Sequence, residues 1–137
     1  MNRKGFSLRP GLRAYDAMLG LQRTIQAARR EGRIPDTVIF LEHFPCITIG
    51  AKGGEASIMV SREILEKRGI AVYATDRGGD VTYHGPGQIV CYPIMDLHAY
   101  GCDVTTYARN LEEVVIRTLR AFGIASGAAA IHRQAHI

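Results

Sequence analysis

Apolar residues recur at helical spacing early in the chain: Tyr15, Met18, Leu19, Ile25 and Ala28. Steps of three and four residues put them on one face of an α-helix. They predict an amphipathic helix from about Leu12 to Arg30, closed by Gly32 and Pro35. The pattern then changes. Thr37 to Glu42 is a β-branched and apolar run that predicts a buried strand, and Cys46 to Ile49 predicts a second one after a turn at Pro45. Gly50, Gly53 and Gly54 fall in a stretch to Ala56 that reads as a mobile loop. Ser61 stands where an N-cap belongs, ahead of a short helix Arg62 to Arg68 with Gly69 as its stop. Ile70 to Ala74 predicts a strand. Asp103 is placed to cap a last long helix. There Val104, Tyr107, Leu111, Val114, Val115, Leu119 and Phe122 form a stripe expected to be buried, and Gly123 ends it.

The segment from Arg77 to Gln88, RGGDVTYHGPGQ, breaks this regularity. Glycine belongs where backbone takes positive φ or something approaches closely, and proline fixes φ and removes a donor. As local structure the segment predicts a hairpin: strand Asp80–His84, turn Gly85-Pro86-Gly87, strand Gln88–Ile94. In the first strand Thr82 and His84 share one face, and Val81 and Tyr83 the other. His84 is thereby expected to face a pocket while Val81 and Tyr83 pack. A hairpin does not account for Arg77-Gly78-Gly79 in front, or for His84 and Gln88 flanking the turn. A guanidinium and an imidazole beside open backbone point to the rim of a binding site. The element order is helix, two strands, short helix, strand, hairpin, helix. It predicts an α+β fold, a mixed sheet with flanking helices, rather than a doubly wound parallel sheet.

The length of 137 residues suits one domain. The net charge is +4, with Arg3, Lys4, Arg9, Arg13, Arg23, Arg29, Arg30 and Arg33 concentrated early. These cations are either a solvated helix face or a docking face for an acidic partner. They are not interleaved with stacking aromatics, so nucleic acid is not expected. No apolar run approaches the ~20 residues that cross a bilayer, and no secretory signal follows the basic start. A cytoplasmic protein without membrane contact is expected. Cys46, Cys91 and Cys102 are too few and too irregular for a disulfide framework or a zinc site. Cys91, within an apolar strand, is expected to behave as a small hydrophobe. Cys102, just ahead of the cap Asp103, is the best nucleophile candidate, because a helix N-terminus lowers a thiol pKa. His132 and His136 have the i, i+4 spacing of a metal pair but lack a third ligand, so no metal is expected. The tail 126–137 is read as a disordered end.

The ordered motif resembles the signature of lipoyl(octanoyl) transferases, also called lipoate-protein ligase B. That pattern runs Arg-Gly-Gly-x-x-Thr-aromatic-His-x-Pro-Gly-Gln and continues into an apolar strand ending near Asp-Leu. Arg77, Gly78, Gly79, Thr82, Tyr83, His84, Pro86, Gly87, Gln88, Tyr92, Asp96 and Leu97 match it. Leu41-Glu42-His43-Phe44-Pro45 resembles the family's Glu-His-x-Pro turn, followed by Ile49-Gly50. The helix ending in Phe122-Gly123-Ile124 is similar too, so the likeness runs from about Tyr15 to Ala125. The resemblance implies a biotin/lipoate protein ligase-like fold in which residues 1–125 are the N-terminal and central part of one catalytic domain.

It also implies a function. The family moves an octanoyl or lipoyl group from octanoyl-acyl carrier protein to a lysine of a lipoyl domain. The recipients are the lipoyl domains of 2-oxoacid dehydrogenases and the glycine cleavage H protein. The route is an acyl thioester on an enzyme cysteine, with no cofactor. The substrate-binding run would be Arg77, Gly78, Gly79, Asp80, Val81, Thr82, Tyr83 and His84. Tyr83, Tyr92 and Val81 would line the acyl channel, and Arg77 would hold either the segment or the carrier's phosphopantetheine. His84 would donate to the carbonyl or relay a proton. Lys52 lies in the loop near the acyl site, where it would help to anchor the substrate; a solvated loop lysine is the favoured reading. The family's attacking cysteine, in an Asn-Pro-Cys-Gly-like turn, and its activating lysine lie beyond the matched region, so no catalytic residue is expected within this chain. Two alternatives are an ATP-dependent lipoate or biotin ligase and a non-catalytic acyl-binding fragment. The ligases are expected to carry a different Gly-rich triplet and a Tyr-His-Asp, whereas Gly85-Pro86-Gly87 follows His84 here.

Overall fold

The structure, a computed structural model, describes residues 4–128. The described chain falls into two compact units, divided between Met95 and Asp96.

The first unit holds two three-stranded sheets built on one plan. β1 (Gly5–Arg13) and β2 (Asp36–His43) are parallel, and β6 (Val90–Ile94) runs antiparallel on the other side of β2. In the second sheet β3 (Cys46–Ile49) is central, parallel to β4 (Ala71–Ala74) and antiparallel to β5 (Val81–His84). The two central strands are consecutive, separated by Phe44 and Pro45. Each sheet is mixed, and helices flank them, so the fold is α+β.

Helix α1 (Tyr15–Arg30) buries Tyr15, Met18, Ile25 and Ala28, as its spacing predicts. Met18 and Ile25 pack with Ile39 and Leu41 of β2, and Tyr92, Ile94 and Ile34 close the cluster. Thr37, Ile39, Leu41 and His43 are buried in strict alternation along β2. The period of two therefore carries a histidine onto the core face. Helix α2 (Arg62–Lys67) buries Leu65, and its N-cap Ser61 makes no side-chain cap hydrogen bond.

The second unit contains α3 (Val104–Ala121). Asp103 accepts a hydrogen bond from the Thr106 amide at 2.6 Å, the expected cap.

Four expectations are corrected. The N-terminal segment is a strand, and α1 starts at Tyr15 rather than Leu12, because Leu12 and Arg13 pair with Glu42 and His43 beyond an irregularity between Leu8 and Gly11. The hairpin does not form. Its turn exists, with the Gln88 amide donating to the Gly85 carbonyl at 3.1 Å and Gly87 at φ +87°. Yet β5 pairs with β3 and β6 with β2, so the chain changes sheet at that turn. The apolar stripe of α3 is not buried: Val104, Val114, Val115 and Phe122 are more than half exposed. Cys91 is exposed, because it pairs with Phe40 on the sheet face away from α1.

Candidate functional site

The site grows out of two loops and the place where the sheets meet. Gly50 follows β3, and it and the next residues lie directly on the Arg77–Asp80 segment. The amides of Gly50, Ala51 and Lys52 donate to the carbonyls of Asp80, Arg77 and Gly79, at 2.8, 2.8 and 3.1 Å. The stretch read as a mobile loop is thus pinned by backbone bonds. A side chain at Gly50 would run into the Gly79 carbonyl, and one at Gly53 would meet Asp80. Both glycines are there for close approach. Asp80 also accepts from the Ser57 hydroxyl at 2.9 Å.

Arg77 organises the segment. Its Nε donates to Thr48 Oγ1 at 3.0 Å, and its Nη2 to the Thr48 and Asp80 carbonyls at 2.7 and 2.9 Å. Its Nη1 donates to the Gly78 carbonyl at 2.9 Å. Thr48 is fully buried. Of the two roles open to Arg77, holding the segment is the one its geometry serves. Gly78 has open space where a side chain would be, and Gly79 takes φ +85°. Lys52 has an exposed side chain.

β5 carries the rest of the predicted run. Thr82 and His84 pair with Thr48 and Cys46, so they share the face of those buried residues. Val81 is half-buried, but Tyr83 does not pack; it is 52% exposed and its ring lies over Gly85. Three aromatic side chains from three elements surround His43: Tyr15 and His84 with ring centres at 5.3 and 5.7 Å, and Tyr92 at 5.9 Å; Tyr73 lies tilted against Tyr15 at 5.1 Å.

The hydrogen bonds fix the protons of both histidines. His43 Nδ1 lies 3.1 Å from the Arg13 carbonyl, which can only accept, so Nδ1–H donates. His43 Nε2 then accepts from the Tyr92 hydroxyl at 2.8 Å. Burial pushes the Tyr92 hydroxyl up to about 12, with Tyr15 and Cys46 adding to it, so the phenol keeps its proton. His84 Nδ1 lies 2.7 Å from Gln88 Oε1. Gln88 Nε2 donates to the Tyr83 carbonyl at 3.4 Å, which orients the amide. His84 Nδ1–H is thus a donor, and in the neutral ring Nε2 carries a lone pair.

Burial, reinforced by neighbouring His84, holds the His43 imidazole below its ordinary 6.5, against the pull of the Arg13 carbonyl. The unfolded chain takes up a proton there before the folded chain does. Stability should therefore be level above about 6.5 and fall as pH drops through the ordinary histidine range. Urea midpoints measured across that range should show this slope, and His43→Phe should flatten it while lowering the plateau. An equal slope in the variant would refute the assignment.

Of the three thiols, burial raises Cys46, and partial desolvation against the sheet raises Cys91 although the residue is exposed overall. Cys102 donates to the Asp103 carbonyl at 3.4 Å. Among the described residues no three His, Cys, Asp or Glu side chains gather as a metal would require. His132, His136 and the end of the tail lie outside them. Nor does any described helix have the length and apolarity to cross a membrane. An open cleft of about 370 Å³ lies on the first sheet, lined by Arg9, Gly11, Phe40, Leu41, Glu42 and Ile89; none of the eight predicted site residues lines it. Reading the sequence missed His43 as the hub of the site, although its place in the β2 alternation was visible.

Two mixed sheets meeting at a histidine pair, beside a glycine-rich loop clamped by arginine, place the chain in the lipoate-ligase class of α+β domains, and solved structures share the fold. Lipoate-protein ligase A bound with ATP superposes with a TM-score of 0.66 at 20% identity, covering 97% of this chain and 52% of that one. The bi-partite lipoate protein ligase of Thermoplasma acidophilum gives 0.64 at 21%, covering 95% and 49%. The chain belongs to the lipoyl protein ligase A/B catalytic domain family, whose model matches residues 14–133. It is 49% identical over 111 residues to the octanoyltransferase of Chloroflexus aurantiacus, covering 81% of this chain and 50% of the relative. It is 44% identical over 124 residues to that of Syntrophobacter fumaroxidans, covering 90% and 54%. The chain spans about half the length of these curated relatives.

Proposed function

We propose that this chain forms the acyl-binding part of an octanoyltransferase. In this reading an octanoyl or lipoyl group passes from acyl carrier protein, through a thioester on an enzyme cysteine, to a lysine of a lipoyl domain, in the cytoplasm. The observation that carries the proposal is the wall made by Arg77 to His84: open backbone at Gly78, positive φ at Gly79, and a histidine with one lone pair left over. The acyl chain lies along this wall. Each buried CH₂ contributes about 0.8 kcal/mol, so an eight-carbon chain gains several. The Gly78–Gly79 backbone is suited to polarise the thioester carbonyl with N–H donors, where charge develops during attack. As the lysine amine attacks, its N–C bond forms and the C–S bond breaks. The amine proton passes to His84 Nε2 and on to the departing sulfur. The bare nitrogen favours this proton-accepting role over donation to the carbonyl. The early cations are suited to speed encounter with acidic carrier protein.

The attacking thiol is not assigned to Cys46, Cys91 or Cys102. Mass spectrometry after incubation with octanoyl-acyl carrier protein should show no octanoyl adduct on this chain, and a stable adduct on any of the three thiols would overturn this part of the reading. An ATP-dependent ligase would instead form an acyl-adenylate from free acid and ATP, which the same spectrometer detects.

A further inference from the structure

Two residues outside the Arg77–His84 run, Glu42 and Gln88, are tied to it through the turn that follows. Gly87 cannot be replaced without strain, since it sits at φ +87°. Its amide donates to Glu42 Oε2 on β2 at 2.6 Å, which ties the turn to the first sheet. The Gln88 amide closes that turn on the Gly85 carbonyl. Held there, the Gln88 side chain uses both ends: its oxygen accepts from His84 Nδ1–H and its nitrogen donates to the Tyr83 carbonyl. The turn thereby joins β2 of one sheet to β5 of the other. An imidazole has two neutral tautomers, and the partner of one nitrogen decides which proton stays.

We propose that Glu42 and Gln88 are positioning residues that lock His84 in its Nδ1–H tautomer and so present Nε2 as a proton acceptor. The use of that lone pair rests on the transfer reading above; the tautomer does not. Glu42 acts at one remove, through the turn, and Gln88 by direct contact. The flanking rings leave this assignment intact: His43 and Tyr92 satisfy each other, and Tyr15 stacks on His84 with its ring nearly parallel, at 6.3 Å and 13°.

The test is ¹⁵N NMR of the full chain in mildly alkaline buffer, without acyl donor. His84 should show a protonated-type shift at Nδ1 and a bare-type shift at Nε2. Gln88→Met, which keeps the length and loses the acceptor, should abolish that preference while leaving the His43 pattern unchanged. Glu42→Ala should broaden or mix the His84 signals, and Glu42→Gln, which retains an acceptor for the Gly87 amide, should restore them. An Nε2–H tautomer in the wild-type protein overturns the proposal without any variant, and so does an unchanged tautomer in Gln88→Met. Because no acylation is read, failure here is separable from failure of the transfer reading.

Discussion

Replacing Arg77 by alanine should destabilise the first unit by about 2–4 kcal/mol, because a charged donor leaves and buried acceptors lose their partner. Four hydrogen bonds end on this guanidinium, two of them at the fully buried Thr48. The bonds form one unit, so their loss is not the sum of four. Arg77→Lys should recover little, since an ammonium cannot reproduce the fork that spans Thr48, Gly78 and Asp80. Denaturant midpoints on the three proteins check this. If Arg77→Ala kept the wild-type midpoint, Arg77 would be a free cation available to a ligand, and its structural role would fall.

The second large effect is expected from Gly50→Ala, for a different reason. Gly50 is buried, and an added methyl would press on the Gly79 carbonyl and stand 3.0 Å from the Arg77 carbonyl. Both obstacles are backbone, so neither can rotate away. Overpacking of this kind costs about 1–3 kcal/mol. The change should also part the loops and break the Ala51–Arg77 and Lys52–Gly79 amide bonds. Amide hydrogen exchange should rise at Ala51 and Lys52. Gly54→Ala, with nothing within 4 Å of the new methyl, is the control and should change little. Equal protection in the two variants would mean that the loops do not depend on close approach.

Periodicity carried most of the fold. Met18, Ile25 and Ala28 on α1 and the Thr37–Glu42 strand announced themselves by spacing, because one face of each is buried against the other. β1 escaped notice because its residues are largely exposed and so show no buried alternation. The Gly85–Gly87 turn misled for a physical reason. Turn chemistry specifies that the chain bends, not which strands it will pair, and here Glu42 draws the turn toward the first sheet. The α3 stripe shows the converse, since amphipathic spacing does not say what covers the face. At the site, the ordered motif named His84 and Arg77 but not their work. Two of the four bonds from Arg77 go to Thr48, 29 residues away in sequence. The His43–Tyr92 bond spans 49 residues, and the strand register sets Tyr92 opposite Ile39 rather than His43, so only the long phenol side chain makes the contact.

In the proposed transfer, an acyl chain lies along the open backbone between Arg77 and His84. Amide NMR of the labelled chain, titrated with a non-hydrolysable octanoyl-pantetheine analogue, addresses it most directly. Saturable shifts at Gly78, Gly79, Thr82 and His84, spreading to Gly50 across the loop, are the predicted result. Shifts confined to Arg9, Gly11, Phe40 and Ile89 around the cleft on the other sheet, or none at all, would contradict it.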